Sequence, residues 1–338
     1  MNKLKFVTGS RAMMAPAILV AAALTLAGCG GDGSSTTSTS SSSSTSSGGS
    51  STSGGTSTAG VLCSEKGSYT GSYGGSGTLT ANWTWSCSDT ARSLSSNGLP
   101  NHAVGTFPNA DNGNNYIKEV NFNKSFSISP SQATSNSAAG PMLAVGYTLS
   151  GAKFDPVTNG HCPSTATSTA GCNPDGGTGS LLEAIQPTQI FSFGTDSNNA
   201  HVQPNGSYHY HGMPEALLTD AAVSEANPKM LLVGWASDGY PIYARYCYTT
   251  ASDSTSGLKK CTGSFKIDTV ADSGRASTDW APLGTFAEDY SYSAGSGDLD
   301  ECNGRTGVTP EFPKGIYYYM ITDTYPYIGR CLKGKLQP

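Results

Sequence analysis

The sequence predicts a mainly β fold, a sandwich-like compact domain with long loops and a few short helices. Three observations carry that prediction. Only 13% of residues are charged while Gly, Ser, Thr and Asn abound, which suits turn-rich extracytoplasmic β proteins better than helical cytosolic ones. Apolar and polar residues alternate with the period of a half-buried strand in several runs. Turn dipeptides separate those runs: Asn97-Gly98, Asn112-Gly113, Asn159-Gly160, Asn205-Gly206 and Asp238-Gly239.

Taken in order, the first strand region is Tyr69 to Ser86, where Leu79, Ala81, Trp83 and Trp85 fall on one face. Ile117 to Ile128 is similar through Val120, Phe122 and Phe126, and Met142 to Leu149 is a third. Helix signals are few. Pro214 to Val223 has Pro at a plausible first helical position, and Ser180 to Ile185 could form one or two turns before Pro187 stops it.

Ahead of this folded part, residues 1–28 read as a signal peptide, with Lys3, Lys5 and Arg11 preceding an apolar stretch from Ala12 to Leu26. That stretch is too short for a comfortable membrane span. It ends in Leu26-Ala27-Gly28-Cys29, which resembles the bacterial lipobox. The resemblance implies cleavage before Cys29 and a membrane anchor of several acyl chains, palmitate among them, which together hold stably where one would not. Gly30 stands where an Asp would favour inner-membrane retention, so a lipid-anchored place in the cell envelope is expected, the outer membrane if the cell is Gram-negative. Residues 29–60 carry the lipidated Cys and then almost only Ser, Thr and Gly, a composition that cannot offset its ordering entropy. They are expected to form a flexible tether with a reach of about 30 Å. Residues 61–338 remain for a disulfide-stabilised domain, ample for a sizeable core.

The formal charge is −5, and it becomes −8 when the three basic residues leave with the signal peptide. No basic run occurs elsewhere. A nucleic-acid partner would need an electrostatic footprint that is missing, and direct adhesion to anionic lipid is equally unsupported. With Cys29 lipidated, eight cysteines are left. An even number in an exported chain points to disulfides, and although eight allow 105 connectivities, the spacing suggests consecutive pairs: Cys63–Cys87, Cys162–Cys172, Cys247–Cys261 and Cys302–Cys331. Each would contribute about 2–4 kcal/mol. No C-x-x-C occurs, so a thiolate metal site or a thioredoxin-type motif is unsupported.

Three of the five histidines fall in His201-Val-Gln-Pro-Asn-Gly-Ser-Tyr208-His209-Tyr210-His211. If Tyr208 to His211 is extended, both imidazoles project from one face and both phenols from the other. Histidines two apart on a strand lie about 7 Å apart at Cα, close enough to chelate one ion. A return at Asn205-Gly206 would add His201. Three neutral imidazoles with an open position suit zinc or copper.

Gly206-Ser-Tyr-His-Tyr-His-Gly212, followed by Val233-Gly-Trp-Ala-Ser-Asp-Gly-Tyr-Pro-Ile-Tyr243, resembles the YHYH domain family. Matching stretches are Asn97 to His102 upstream, Leu299 to Gly304 downstream and Tyr325 to Cys331 near the end, so the resemblance spans about 97 to 335. It implies a domain common in exported proteins rather than a defined activity. His102, His201, His209 and His211 fall in its motifs, which makes His102 a candidate fourth ligand, whereas His161 reads as a surface residue. An internal echo aligns Gly206–His211 with Gly315–Met320. If those strands sat together Met320 could touch copper, although core packing is the commoner use.

A hydrolase would need a carboxylate beside the imidazoles. Asp238 and Asp300 are the catalytic candidates because each lies in a family-like motif, while Glu183, Asp298 and Glu301 are further acidic residues nearby in sequence. No G-x-S-x-G, H-E-x-x-H or P-loop motif is present. The readings rank as a metal-binding module holding copper or zinc, then a surface glycan- or protein-binding module using the 17 Tyr and 4 Trp, then a hydrolase.

Overall fold

A computed structural model describes residue 58 and residues 60–139 and 144–336. Residues 1–28, expected to be a signal peptide, Cys29 and nearly all of the Ser/Thr/Gly-rich stretch lie outside the described residues, as does part of the Met142–Leu149 run. What is described falls within one unit, Ser51–Pro338.

The first four strands, β1 (Lys66–Ser72), β2 (Thr78–Cys87), β3 (Ala91–Ser96) and β4 (Phe122–Ser127), form an antiparallel sheet in chain order. Alternation governs it: Ala81 and Trp85 on β2 and Arg92, Leu94 and Ser96 on β3 are buried while their neighbours are more exposed. The expected strand at Ile117–Ile128 starts only at Phe122, because Lys118 and Val120 spend their backbone N–H groups on Gly206 and Asn97 outside the ladder. Next comes β5 (Gln132–Ala138), whose partner closes the chain.

A larger mixed sheet follows. Its early members are β6 (Gly146–Thr148) and β7 (Lys153–Phe154), and a short pair, β8 (His161–Cys162) with β9 (Ser180–Leu181), interrupts before β10 (Ala200–Val202) and β11 (Tyr208–Tyr210). Helix α1 (Glu215–Asp220) precedes β12 (Met230–Ala236), β13 (Pro241–Tyr248) and β14 (Leu258–Lys260). A second short pair, β15 (Phe265–Ile267) and β16 (Tyr290–Tyr292), leads to β17 (Gly304–Gly307), β18 (Ile316–Ile321) and β19 (Cys331–Gly334), the last pairing with β5. The large sheet runs β10-β11-β7-β6-β12-β13-β18-β17, with β14 on β13.

The two main sheets share one core. Phe122 and Phe126 pack on Tyr147, the Trp85 indole N–H donates to the Leu149 carbonyl, and the buried Arg92 guanidinium lies 3.6 Å from the centre of the Trp235 ring. Burying a side chain of this size is worth roughly 1.5–3 kcal/mol, so these contacts decide that the sheets stay together. The mainly β reading therefore holds, and the four consecutive disulfides are all present. Gly234 sits at a register shift in β12, where an added Cβ would collide with the Tyr147 carbonyl oxygen of β6. Gly234→Ala should lower stability by about 1–3 kcal/mol, read from urea unfolding. A midpoint unchanged from wild type would contradict this packing.

Two helical expectations need adjusting. The helix at Pro214–Val223 is real but shorter, with Pro214 as the cap before Glu215. Ser180–Ile185 is not helical. Its backbone is taken by other partners: Leu182 N–H donates to the Gly160 carbonyl, Glu183 N–H to Thr285, and the Leu182 carbonyl accepts from the Thr158 hydroxyl. One turn cannot repay helix nucleation against such pairing. This segment belongs to a cap with its own small core of Leu182, Phe193, Ala281 and Phe286, distinct from the main one.

Candidate metal centre

The β10–β11 hairpin builds the site. Five residues, Gln203–Ser207, join the strands, and Gly206 adopts φ +92°, a left-handed conformation that favours glycine. Gln203 N–H donates to the Ser207 carbonyl and Asn205 Oδ1 accepts from Ser207 N–H, closing the turn. The resulting register sets His201 directly opposite His209. His211 follows two residues on, so it returns to the same face.

The three imidazoles converge. Their ring centres are 4.5–4.9 Å apart, and His211 Nε2 lies 3.1 Å from His201 Nε2 and 3.0 Å from His209 Nε2. Each ring offers a nitrogen within 4.8 Å of the other two. Ligand nitrogens at the usual 2.0–2.1 Å from a tetrahedral zinc ion are about 3.3 Å apart, so the spacing is close to that of a ligand set. The far side of two rings is tied down: His201 Nδ1 is 2.7 Å from the Phe193 carbonyl and His209 Nδ1 is 3.3 Å from the Ser207 carbonyl. A carbonyl only accepts, so Nδ1 carries the proton and Nε2 presents its lone pair, the tautomer that metal-binding histidines use. Burial holds the basicity of all three rings down, well below normal for His209 and His211. Neutral rings with inward lone pairs repel one another unless a positive charge sits between them.

The opposite face of the strand is occupied differently. The Tyr208 hydroxyl donates to Asp196 Oδ2 at 2.8 Å, and Tyr210 hydrogen-bonds to His102 Nε2. His102 Nδ1 meets the Ala103 carbonyl at 2.7 Å, so both of its nitrogens are engaged away from the three rings. His102 is therefore not a fourth member of the group. His161 lies on β8 with Nδ1 on the Asn159 carbonyl, outside it as well.

The carboxylate candidates are elsewhere. Asp238 is fully buried, and its Oδ2 accepts from the Tyr319 hydroxyl at 2.5 Å and Gly334 N–H at 2.8 Å. Asp300 is held by the Tyr317 hydroxyl, by Cys302 and Gly304 N–H groups, and by Lys333. Tyr317 and Tyr319 lie on β18, five strand spacings from β11 along the sheet, or roughly 24 Å. Neither Asp238 nor Asp300 joins the imidazoles, and both brace the chain end instead. The same separation removes Met320 from the histidines; it is core, with its backbone beside Tyr243.

Sequence reasoning missed the groups that do flank the site. Lys153 lies opposite His209 on β7, and Asp155 continues that strand. The Lys153 ammonium is 2.6 Å from Gln203 Oε1, and Gln203 Nε2 is 3.2 Å from Asp155 Oδ2. No spacing rule would have found them, because strand pairing brings them in from some fifty residues away in the chain.

A family model described as YHYH protein matches residues 123–334. The chain belongs to this family. No curated protein and no solved structure matches it. Within this YHYH protein the match includes the Tyr208–His211 motif and the Val233–Tyr243, Leu299–Gly304 and Tyr325–Cys331 stretches, whereas Asn97–His102 lies upstream of it.

The YHYH domain also carries a testable electrostatic cost. Burial pushes the Asp155 carboxyl up to about 6, against the opposing pull of Lys153 and Gln203. Below pH about 4 the folded and unfolded states both hold this proton, and above about 6 neither does. Between those values only the folded state keeps it, so stability falls as pH rises through the window. Asp155→Asn should gain on wild type by on the order of 2–3 kcal/mol between pH 4 and pH 7, measured by urea unfolding with a chelator present. A constant difference across that range would contradict the burial argument.

Proposed function

We propose that this protein is an exported, lipid-anchored metal-binding module whose ligands are His201, His209 and His211. The observation that carries the reading is the convergence of three Nε2 atoms, with Nδ1 of two rings tied to backbone carbonyls. The donor set is all imidazole, with no thiolate and no carboxylate, which suits zinc or copper rather than calcium or magnesium. Three protein ligands leave a coordination position open, as in sites that work on a small molecule rather than purely structural ones. Export through the signal-like segment and a diacyl anchor at Cys29 fit the four disulfides, which persist in oxidising compartments.

The large aromatics give less support to glycan stacking. Trp85, Trp235 and most tyrosines are core, and the exposed Tyr116 and Tyr292 share no ring contact with each other among the described residues.

The direct test is metal analysis of protein purified without a histidine tag, beside a His209→Ala/His211→Ala variant. About one zinc or copper per wild-type chain and none in the variant is expected. Equal, negligible metal in both after incubation with either ion would end the proposal.

A further inference from the structure

Strand β10 carries His201 and ends the order of the large sheet. In an antiparallel pair only alternate residues turn their backbone groups toward the partner strand. The Asn199 carbonyl accepts His211 N–H and Gln203 N–H donates to the Ser207 carbonyl, so Val202, one step out of that phase, turns its own groups outward. Val202 is 1% exposed, and buried backbone groups need a partner other than water. Asn112 supplies it. Its Oδ1 accepts Val202 N–H at 3.2 Å, and its Nδ2 donates to the Val202 carbonyl at 3.0 Å. One carboxamide thus does at this edge what a neighbouring strand residue would do.

Asn112 also meets the ring that this strand carries. Its Nδ2 lies 3.4 Å from His201 Nδ1. Both nitrogens donate, each to its own carbonyl: Nδ2 to Val202, and Nδ1 to Phe193 at 2.7 Å. The same loop braces the Phe193 side. Asn109 Oδ1 accepts Asn112 N–H at 2.8 Å, and Asn109 Nδ2 donates to the Gly194 carbonyl at 2.9 Å. Gly194, at φ +66°, comes so near that an added Cβ would lie 2.7 Å from the Asn112 nitrogen. Asn112 is therefore tied both to the backbone beside His201 and to the segment whose carbonyl holds its Nδ1.

We infer that Asn112 is a positioning residue of the metal centre, holding His201 in register with His209 and His211. The inference rests on the metal reading and adds a residue on which the affinity depends. His209 lies on β11, which is paired on both sides, by β10 and by β7. His201 alone of the three lies on the terminal strand, so it is the ligand that loss of Asn112 would release. Asn112 precedes residues 123–334, the part the family model matches. The centre is thus steadied from outside the stretch that contains its ligands.

The test uses protein carrying Co²⁺, whose visible bands report the number and kind of its ligands. Asn112→Ala should weaken Co²⁺ binding by roughly 10–100-fold, as loss of a group that orients a metal ligand typically does. The bands should change with it, because water replaces the His201 ring. Wild-type affinity in the variant would overturn the inference and leave the metal reading standing. Weaker binding with wild-type bands would do the same, since general loosening displaces no particular ligand. Wild-type protein that takes up no Co²⁺ would remove the metal reading and this inference together. Should Asn112→Ala not fold, hydrogen exchange of the Val202 amide in the metal-free wild type decides. Exchange as slow as that of the inner strand β11 is expected, and exchange at the rate of an open edge amide would overturn the role given to Asn112.

Discussion

Zinc added at a hundredfold excess over its dissociation constant should stabilise the folded protein by about 2.7 kcal/mol, because an ion that binds only the folded state shifts unfolding by mass action. The His209→Ala/His211→Ala variant should show no such shift. The two nitrogens it loses are those 3.0 Å apart on the strand and its extension, and His201 alone offers one half-buried ligand. In the metal-free state the variant no longer packs converging ring nitrogens in a buried site, so it loses less stability than removing two buried side chains of that size otherwise would. Thermal unfolding with chelator, then with zinc, reads both quantities. A wild-type melting temperature that ignores zinc and copper alike would contradict the metal centre on independent grounds from the metal content.

The second large effect is expected far from the histidines, at Asp289. This buried carboxylate pairs with the equally buried Arg275 and also accepts N–H groups of Gly284, Thr285 and Phe286 at 2.9–3.0 Å. Asp289→Ala leaves the Arg275 charge uncompensated and three donors unmet, a change that typically costs about 3–5 kcal/mol. The loss should concentrate in the cap, whose core is separate and whose Thr285 carbonyl receives Glu183 N–H. Hydrogen exchange should therefore quicken across residues 180–193 and 275–290 while β12, β13 and β18 stay protected. Because Phe193 of this cap orients His201, metal affinity should fall as well. Uniform exchange throughout the domain would instead mean that the cap and sheets unfold as one unit.

Much of the site was legible because the relevant signals are local. Tyr208 to His211 alternates over four residues, and alternation on a strand separates imidazoles from phenols whatever surrounds them. Asn205-Gly206 lies midway between His201 and His209, so a hairpin was the economical way to join them. The disulfides followed from spacing in the same way. Other expectations failed where a motif has a second, purely structural use. His102, Asp238 and Asp300 sit in family-like stretches, yet each is consumed by tyrosine hydroxyls and backbone groups. The echo between Gly206–His211 and Gly315–Met320 is a likeness of strands that four others separate.

The sequence by itself determined the strand-rich class, the hairpin and the cysteine pairs, since period, turn chemistry and short loop closure act over a few tens of residues. Only the tertiary structure decided which histidine turns away, that Phe193 orients His201, and that Lys153 and Asp155 flank the site. Those relations depend on strand order and cap packing across distant parts of the chain. They arise from the joint burial of two sheets and a cap, and no local pattern encodes that burial.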